Sequence, residues 1–237
     1  GSLPPQFNLV VKWRPRSIAA EQYRMAATRL VLPGEKDDSM VIEVTSSLQG
    51  EGKTTTVVNL GYTLARDLGK KVLLIDCDFR SPALHQYVNE PDRAGLIELL
   101  DGHAPLEDCL SAIDEVPCSI LSVGGLRREP NELTRIQQLR ELLPKLRTNF
   151  DYVIINTPPV LSSATMGSLA SLADVLILVI RAGVTPKHVV QEAFKILGLK
   201  TEALVILNAV ETHSMPNYMY GYAMPDGGER SIESAVR

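Results

Sequence analysis

The chain has 237 residues, 45% hydrophobic and 22% charged, with one Trp. That length suits a single α/β domain, or two small ones, and buries a substantial core without disulfide or metal staples. The net charge of −4 argues against a broadly basic nucleic-acid-binding surface, and the longest apolar run, Val175 to Ile180, is far below the roughly 18 residues of a membrane span.

Gly1-Ser2 reads as a cloning scar. Residues 1–16 carry Pro4, Pro5 and Pro15 and read as an extended arm. Ser17 is a candidate N-cap for a helix running to about Val31, and Pro33-Gly34 ends it. From there short apolar or β-branched runs alternate with helical patterns. The predicted strands are Met40–Thr45, Lys71–Asp76, Ser119–Val123, Tyr152–Thr157, Asp174–Ile180 and Ala203–Asn208. The predicted helices are Lys53–Leu68, Glu132–Arg147, Ser163–Leu172 and Pro186–Leu197. Near-continuous hydrophobicity in the strands fits burial on both faces, and the alternation predicts a doubly wound, mostly parallel α/β sheet with helices on both faces. The domain plan is thus an arm (1–16), a P-loop domain (17–208) and a tail (209–237) that lacks a clear period and reads as mobile. Three cysteines without a CxxC (Cys77, Cys109, Cys118) read as free thiols in a reducing compartment.

The run Ser46-Ser47-Leu48-Gln49-Gly50-Glu51-Gly52-Lys53-Thr54-Thr55 lies between a predicted strand and a predicted helix, the setting a P-loop requires. Gly50 and Gly52 let successive N–H groups turn toward phosphate oxygens, and the helix N-terminus adds partial positive charge. Lys53 is placed to reach the terminal phosphates and the Thr54 hydroxyl to ligate Mg²⁺. Ser47 stands where the first glycine of the motif is usual.

The next strand ends in Asp76-Cys77-Asp78-Phe79-Arg80. Active sites of open α/β sheets gather at strand carboxyl ends, and carboxylates two positions apart share a face of an extended segment. Asp76 and Asp78 therefore suit a hydrated Mg²⁺ beside the phosphates. The strand Tyr152–Ile155 runs into Asn156-Thr157-Pro158-Pro159. A P-loop enzyme usually carries an Asp at this strand end; the amide of Asn156 brings no charge, and its NH₂ is a donor. Near the C-terminus Tyr218, Tyr220 and Tyr222 alternate within Pro216–Pro225, on one side if that segment is extended.

These motifs together resemble the cytoplasmic domain of the bacterial tyrosine kinases of capsule and exopolysaccharide synthesis. Leu73–Pro82 is similar to the family's second carboxylate motif and Val153–Pro159 to its Walker B block, except at Asn156. Pro130-Asn131-Glu132-Leu133 resembles a segment that opens a family helix. Glu21-Gln22-Tyr23-Arg24 resembles the start of an oligomerisation helix whose second Arg is Ala27 here. Leu48 stands where partitioning-type ATPases of the same fold carry a signature lysine.

The resemblance implies ATP or ADP with Mg²⁺ on Gln49, Gly50, Glu51, Gly52, Lys53, Thr54 and Thr55, with Asn208 near the base. It implies metal contacts from Thr54, Asp76 and Asp78, and catalytic roles for Lys53, Asp76, Asp78, Arg80 and Asn156, Asp76 acting on the tyrosine hydroxyl. Tyr218, Tyr220 and Tyr222 would be phosphoacceptors in a neighbouring copy of a ring joined through Glu21 and Arg24. A membrane co-polymerase segment would be the activator, at the cytoplasmic face of the inner membrane. Asn156 also allows a pseudokinase, a nucleotide-gated assembly module with weak or no transfer.

Overall fold

A computed structural model describes residues 8–31, 39–88, 93–113, 116–125, 131–198 and 202–211. In chain order the elements are α1 (Val10–Trp13), α2 (Ile18–Val31), β1 (Met40–Ser46), α3 (Lys53–Leu68) and β2 (Val72–Asp76), then α4 (Leu96–Leu100), α5 (Leu106–Cys109), β3 (Leu110–Ala112) and β4 (Cys118–Leu121). They continue with α6 (Glu132–Arg147), β5 (Tyr152–Asn156), α7 (Met166–Ala170), β6 (Val175–Arg181), α8 (Lys187–Leu197) and β7 (Glu202–Asn208).

The seven strands form one sheet in the order β3-β4-β2-β5-β1-β6-β7. Only the β3–β4 pair is antiparallel; β1, β2, β4, β5, β6 and β7 run parallel. Strand side chains alternate between two cores, as the period of two requires. Ile42, Val44, Leu74, Ile154 and Ile177 face α1, α2 and α3. Val41, Ile75, Ile155, Leu176 and Leu178 face α4, α6, α7 and α8. Burial on both faces explains why the strands read as unbroken apolar runs. The doubly wound fold is the one expected.

Two local expectations fail, and one strand has no counterpart among the predicted elements. The arm is not extended throughout: Leu9 and Val11 are buried, and α1 docks on α3 through the buried Asn59. Its Oδ1 accepts from Val11 N (3.2 Å) and its amide donates to the carbonyls of Asn8 (2.9 Å) and Thr55 (2.8 Å). The predicted helix over Ser163–Leu172 contracts to Met166–Ala170, because the Ser163 and Thr165 hydroxyls bond each other at 2.9 Å and hold a turn instead. The edge strand β3 is too short, at three residues, to leave a periodic signal. All three cysteines are buried and unpaired.

Candidate active site

The carboxyl ends of β1, β2, β5, β6 and β7 converge on one edge of the sheet. Asn156 is in register with Asp76 on one side and Val44 on the other, while Arg181 is in register with Asn208. The β1–α3 loop rises between these two groups.

In that loop Gly50 and Gly52 take positive φ values of 83° and 98°, which L side chains rarely adopt. A side chain at Gly52 would also collide with the Asn208 amide, 2.0 Å from an added Cβ. Gln49 and Gly50 are exposed at the tip, Thr54 and Thr55 half-buried, and Lys53 buried at the first turn of α3. Thr45 Oγ1 donates to the Pro158 carbonyl (2.8 Å) and Leu161 N to the Ser47 carbonyl (3.3 Å), so the proline pair braces the loop from the β5 side.

Lys53 Nζ stands 3.8 Å from Asp78 Oδ2, both side chains 7% exposed. Burial pushes the Lys53 ammonium below its usual range, opposed by the carboxylates of Asp78, Asp76 and Glu51. Burial pushes the Asp78 carboxyl up, with Lys53 pulling the other way.

Asp76 is fully buried and accepts four hydrogen bonds. Oδ1 takes Asp78 N (3.2 Å) and the Asn156 amide (3.0 Å), and Oδ2 takes Ala83 N and Leu84 N (both 2.9 Å). Desolvation raises its pKa, and these donors hold it down. Four donors fill the usual acceptor capacity of a carboxylate, so this arrangement gives Asp76 no open position for a metal; Asp78 and Thr54 are the better placed oxygens. The other amide atom, Asn156 Oδ1, is buried without a partner.

Arg80 is largely exposed and pairs with Glu132 at the start of α6 (2.9 Å). The second Glu132 oxygen accepts from Thr165 Oγ1 (3.2 Å), so Glu132 joins the carboxylate loop to the segment before α7. The sequence marks Glu132 only as part of the Pro130–Leu133 motif. Thr165 offered no signal, since its partner lies 33 positions away. Asn208 donates to the Glu51 carbonyl (2.9 Å) and so braces the phosphate loop itself. Glu21 and Arg24 lie on α2, paired at 2.9 Å; Glu21 is exposed, while the half-buried Arg24 is also held by Asp67 of α3 (3.0 Å) and donates to the Pro15 carbonyl (2.7 Å). Tyr218, Tyr220 and Tyr222 lie outside the described residues.

Mg²⁺ and a nucleotide fit these groups. The left-handed glycines, the lysine at the helix start and the orphaned Asn156 oxygen match a polyphosphate–metal ligand. Among the described residues no group of three or more His, Cys, Asp or Glu could hold a metal, so an ion here would share phosphate and water oxygens, as Mg²⁺ does.

The fold and the loop define a P-loop nucleotide-binding domain of the α/β class. A family model described as an AAA domain matches residues 39–198. Tyrosine-protein kinase YwqD of Bacillus subtilis (strain 168) is 32% identical over 217 residues, which are 91% of each chain. The succinoglycan biosynthesis transport protein ExoP of Rhizobium meliloti (strain 1021) is also 32% identical, over 86% of this chain but only 26% of its own. The solved VpsO kinase domain superposes with a TM-score of 0.72 at 34% identity, covering 84% of this chain and 98% of that one. The chain belongs to the bacterial tyrosine-protein kinase family.

Proposed function

We propose that this chain is an ATP–Mg²⁺-dependent protein-tyrosine kinase that phosphorylates Tyr218, Tyr220 and Tyr222 of a neighbouring copy in support of exopolysaccharide or capsule synthesis. The observation that carries the reading is the buried Lys53–Asp78 pair, which joins the left-handed glycine loop after β1 to the Asp76–Asp78 segment that ends β2, two strands away. Kinship with a named tyrosine kinase along nine-tenths of both chains supports the choice of acceptor.

Bound ATP–Mg²⁺ would supply the transferable phosphoryl group and neutralise the charge that develops on it. The chain's own groups hold and orient. Backbone N–H groups of residues 49–54 would surround the phosphates, Lys53 would pair with them, and Thr54 with Asp78 would hold the metal. A phenol, with a pKa near 10, needs a carboxylate to take its proton. Asp76 is the candidate, and to accept that proton it must lose one of its four present donors. Arg80, a largely exposed cation of the same loop held by Glu132, would steady the carboxylates or a phosphate there. Assembly through Glu21 and Arg24 into a ring-like homo-oligomer, and activation by a membrane co-polymerase segment, complete the proposal. Among the described residues no helix is long and apolar enough to cross a membrane.

A second reading, a nucleotide-binding assembly module with slow or no transfer, is favoured by one contact. The Asn156 amide donates to Asp76 where the family pattern has a second carboxylate. Incubation with ATP and Mg²⁺ at high protein concentration, with the activator segment supplied, decides between them. The kinase reading expects phosphate on Tyr218, Tyr220 or Tyr222 by mass spectrometry, lost in Lys53→Ala. An unmodified tail with nucleotide bound leaves the module.

A further inference from the structure

The cradle for the phosphates uses backbone N–H groups, an ammonium and a hydroxyl, and a carboxylate has no attractive part in it. Glu51 nevertheless lies inside that loop, 3% exposed. Both its oxygens are engaged, and away from the cradle. Oε2 accepts from Leu48 N at 2.6 Å. Oε1 accepts from Arg181 N at 3.2 Å and from the Thr185 hydroxyl. The Glu51 carbonyl takes the Asn208 amide at 2.9 Å.

These donors come from three places: the rising limb of the loop itself, the end of β6 with the turn that follows it, and the end of β7. They meet because β6 lies beside β1 and Arg181 is in register with Asn208. On the opposite flank the loop is held through Lys53–Asp78, the Thr45–Pro158 contact and the bond from Leu161 N to the Ser47 carbonyl. Hydrogen bonds to a buried carboxylate are the stronger kind, and a carboxylate can serve donors from several directions at once.

We propose that Glu51 is a positioning residue, a clasp whose carboxylate locks the phosphate loop to the end of β6 and the turn after it, while its backbone carbonyl holds the Asn208 amide at the end of β7, so that the cradle is set before nucleotide arrives. This rests on the nucleotide-binding reading above. The clasp also places a negative charge near Lys53, which helps keep that ammonium protonated against its burial. Glutamine in its place keeps one acceptor but turns an NH₂ toward either Leu48 N or the β6 turn, so it preserves only part of the clasp.

The test uses the full chain and its variants Glu51→Ala, Glu51→Gln and Thr185→Val. Amide hydrogen exchange of residues 48–53 is followed without nucleotide, and ADP–Mg²⁺ and tripolyphosphate–Mg²⁺ are titrated by calorimetry. Glu51→Ala is expected to speed exchange in the loop and to weaken both ligands by about tenfold or more. Glu51→Gln should fall between it and the parent. Thr185→Val should have a smaller effect that vanishes in combination with Glu51→Ala, because the two residues form one contact. Loop exchange and affinities within about twofold of the parent in Glu51→Ala overturn the clasp and leave the nucleotide reading standing. If Glu51→Ala does not fold, parental values in both Glu51→Gln and Thr185→Val overturn it equally. A parent chain that binds neither ligand overturns the nucleotide reading, and the clasp's function with it.

Discussion

Glu43 sits in the central strand with no exposure to water. One oxygen accepts from the Thr157 hydroxyl at 3.2 Å and the other has no partner. Burial lifts its pKa from 4.5 to about 8. The folded chain therefore keeps a proton that the unfolded chain has lost, and stability from this site is full below 4.5 and falls as pH rises toward 8. One proton held across one pH unit corresponds to about 1.4 kcal/mol, so the loss over that window is on the order of a few kcal/mol. Glu43→Gln, which cannot ionise, should flatten the dependence. Urea unfolding at pH 5, 7 and 9 checks this, and parallel profiles for parent and variant would refute it. Asn156 gives a second test at the same scale. Asn156→Asp should release Asp76 from one donor and raise the rate of phosphoryl transfer by about tenfold to a hundredfold. It also sets two buried carboxylates side by side, so the variant should melt below the parent without Mg²⁺ and recover when Mg²⁺ is added. A thermal scan at two Mg²⁺ concentrations reads both stability effects.

Among the elements, α1 shows how little of a docking contact is legible locally. Its four residues are too few to declare a helix by periodicity, and the prolines around it suggest an arm. What makes it helical is tertiary: Asn59, fully buried on α3, accepts from Val11 N, and Arg66 donates to the Val11 carbonyl at 2.8 Å. Asn59→Ala leaves Val11 N and the Asn8 carbonyl without their Asn59 partner and should cost about 2–3 kcal/mol. Limited proteolysis after Trp13 should accelerate, and an unchanged digestion pattern would show that α1 docks by its apolar residues alone. The long elements were legible because their signals are local. α3 begins at the lysine of the loop and ends at Gly69, whose φ of 65° caps it. β5 and β6 are five- and seven-residue runs, apolar until their last residue. The site was legible at its motifs, from Gly50 to Thr55 and from Asp76 to Arg80. Its internal wiring was not. That Asp76 is saturated, that Glu132 holds Arg80, and that Asn208 serves the loop are facts of distant strand ends meeting, and no spacing in the sequence encodes them.

For the whole molecule, the ligand groups stand on the ends of several strands of one sheet, so nucleotide binding should stabilise the domain as a unit. At a hundredfold excess over Kd, ADP–Mg²⁺ should add about 2.7 kcal/mol, or about 5–10 °C in Tm for a chain of this size. The rise should appear in a single transition and largely disappear in Lys53→Ala. Two separate transitions, only one of them moved by ADP, would contradict a sheet that melts together. The sheet order has a further consequence, for synthesis. β1 is central, yet its neighbours β5 and β6 are made long after it: the Thr45–Pro158 contact joins residues 113 positions apart. The phosphate loop leaves the ribosome early, but its braces from β5, β6 and β7 come only after about half the chain has followed. At roughly 5–20 residues per second that interval lasts on the order of ten seconds. Through it both pairing edges of β1 stay open, so the nascent chain is most exposed to misassembly, and most in need of a chaperone, before its binding loop is braced on both flanks.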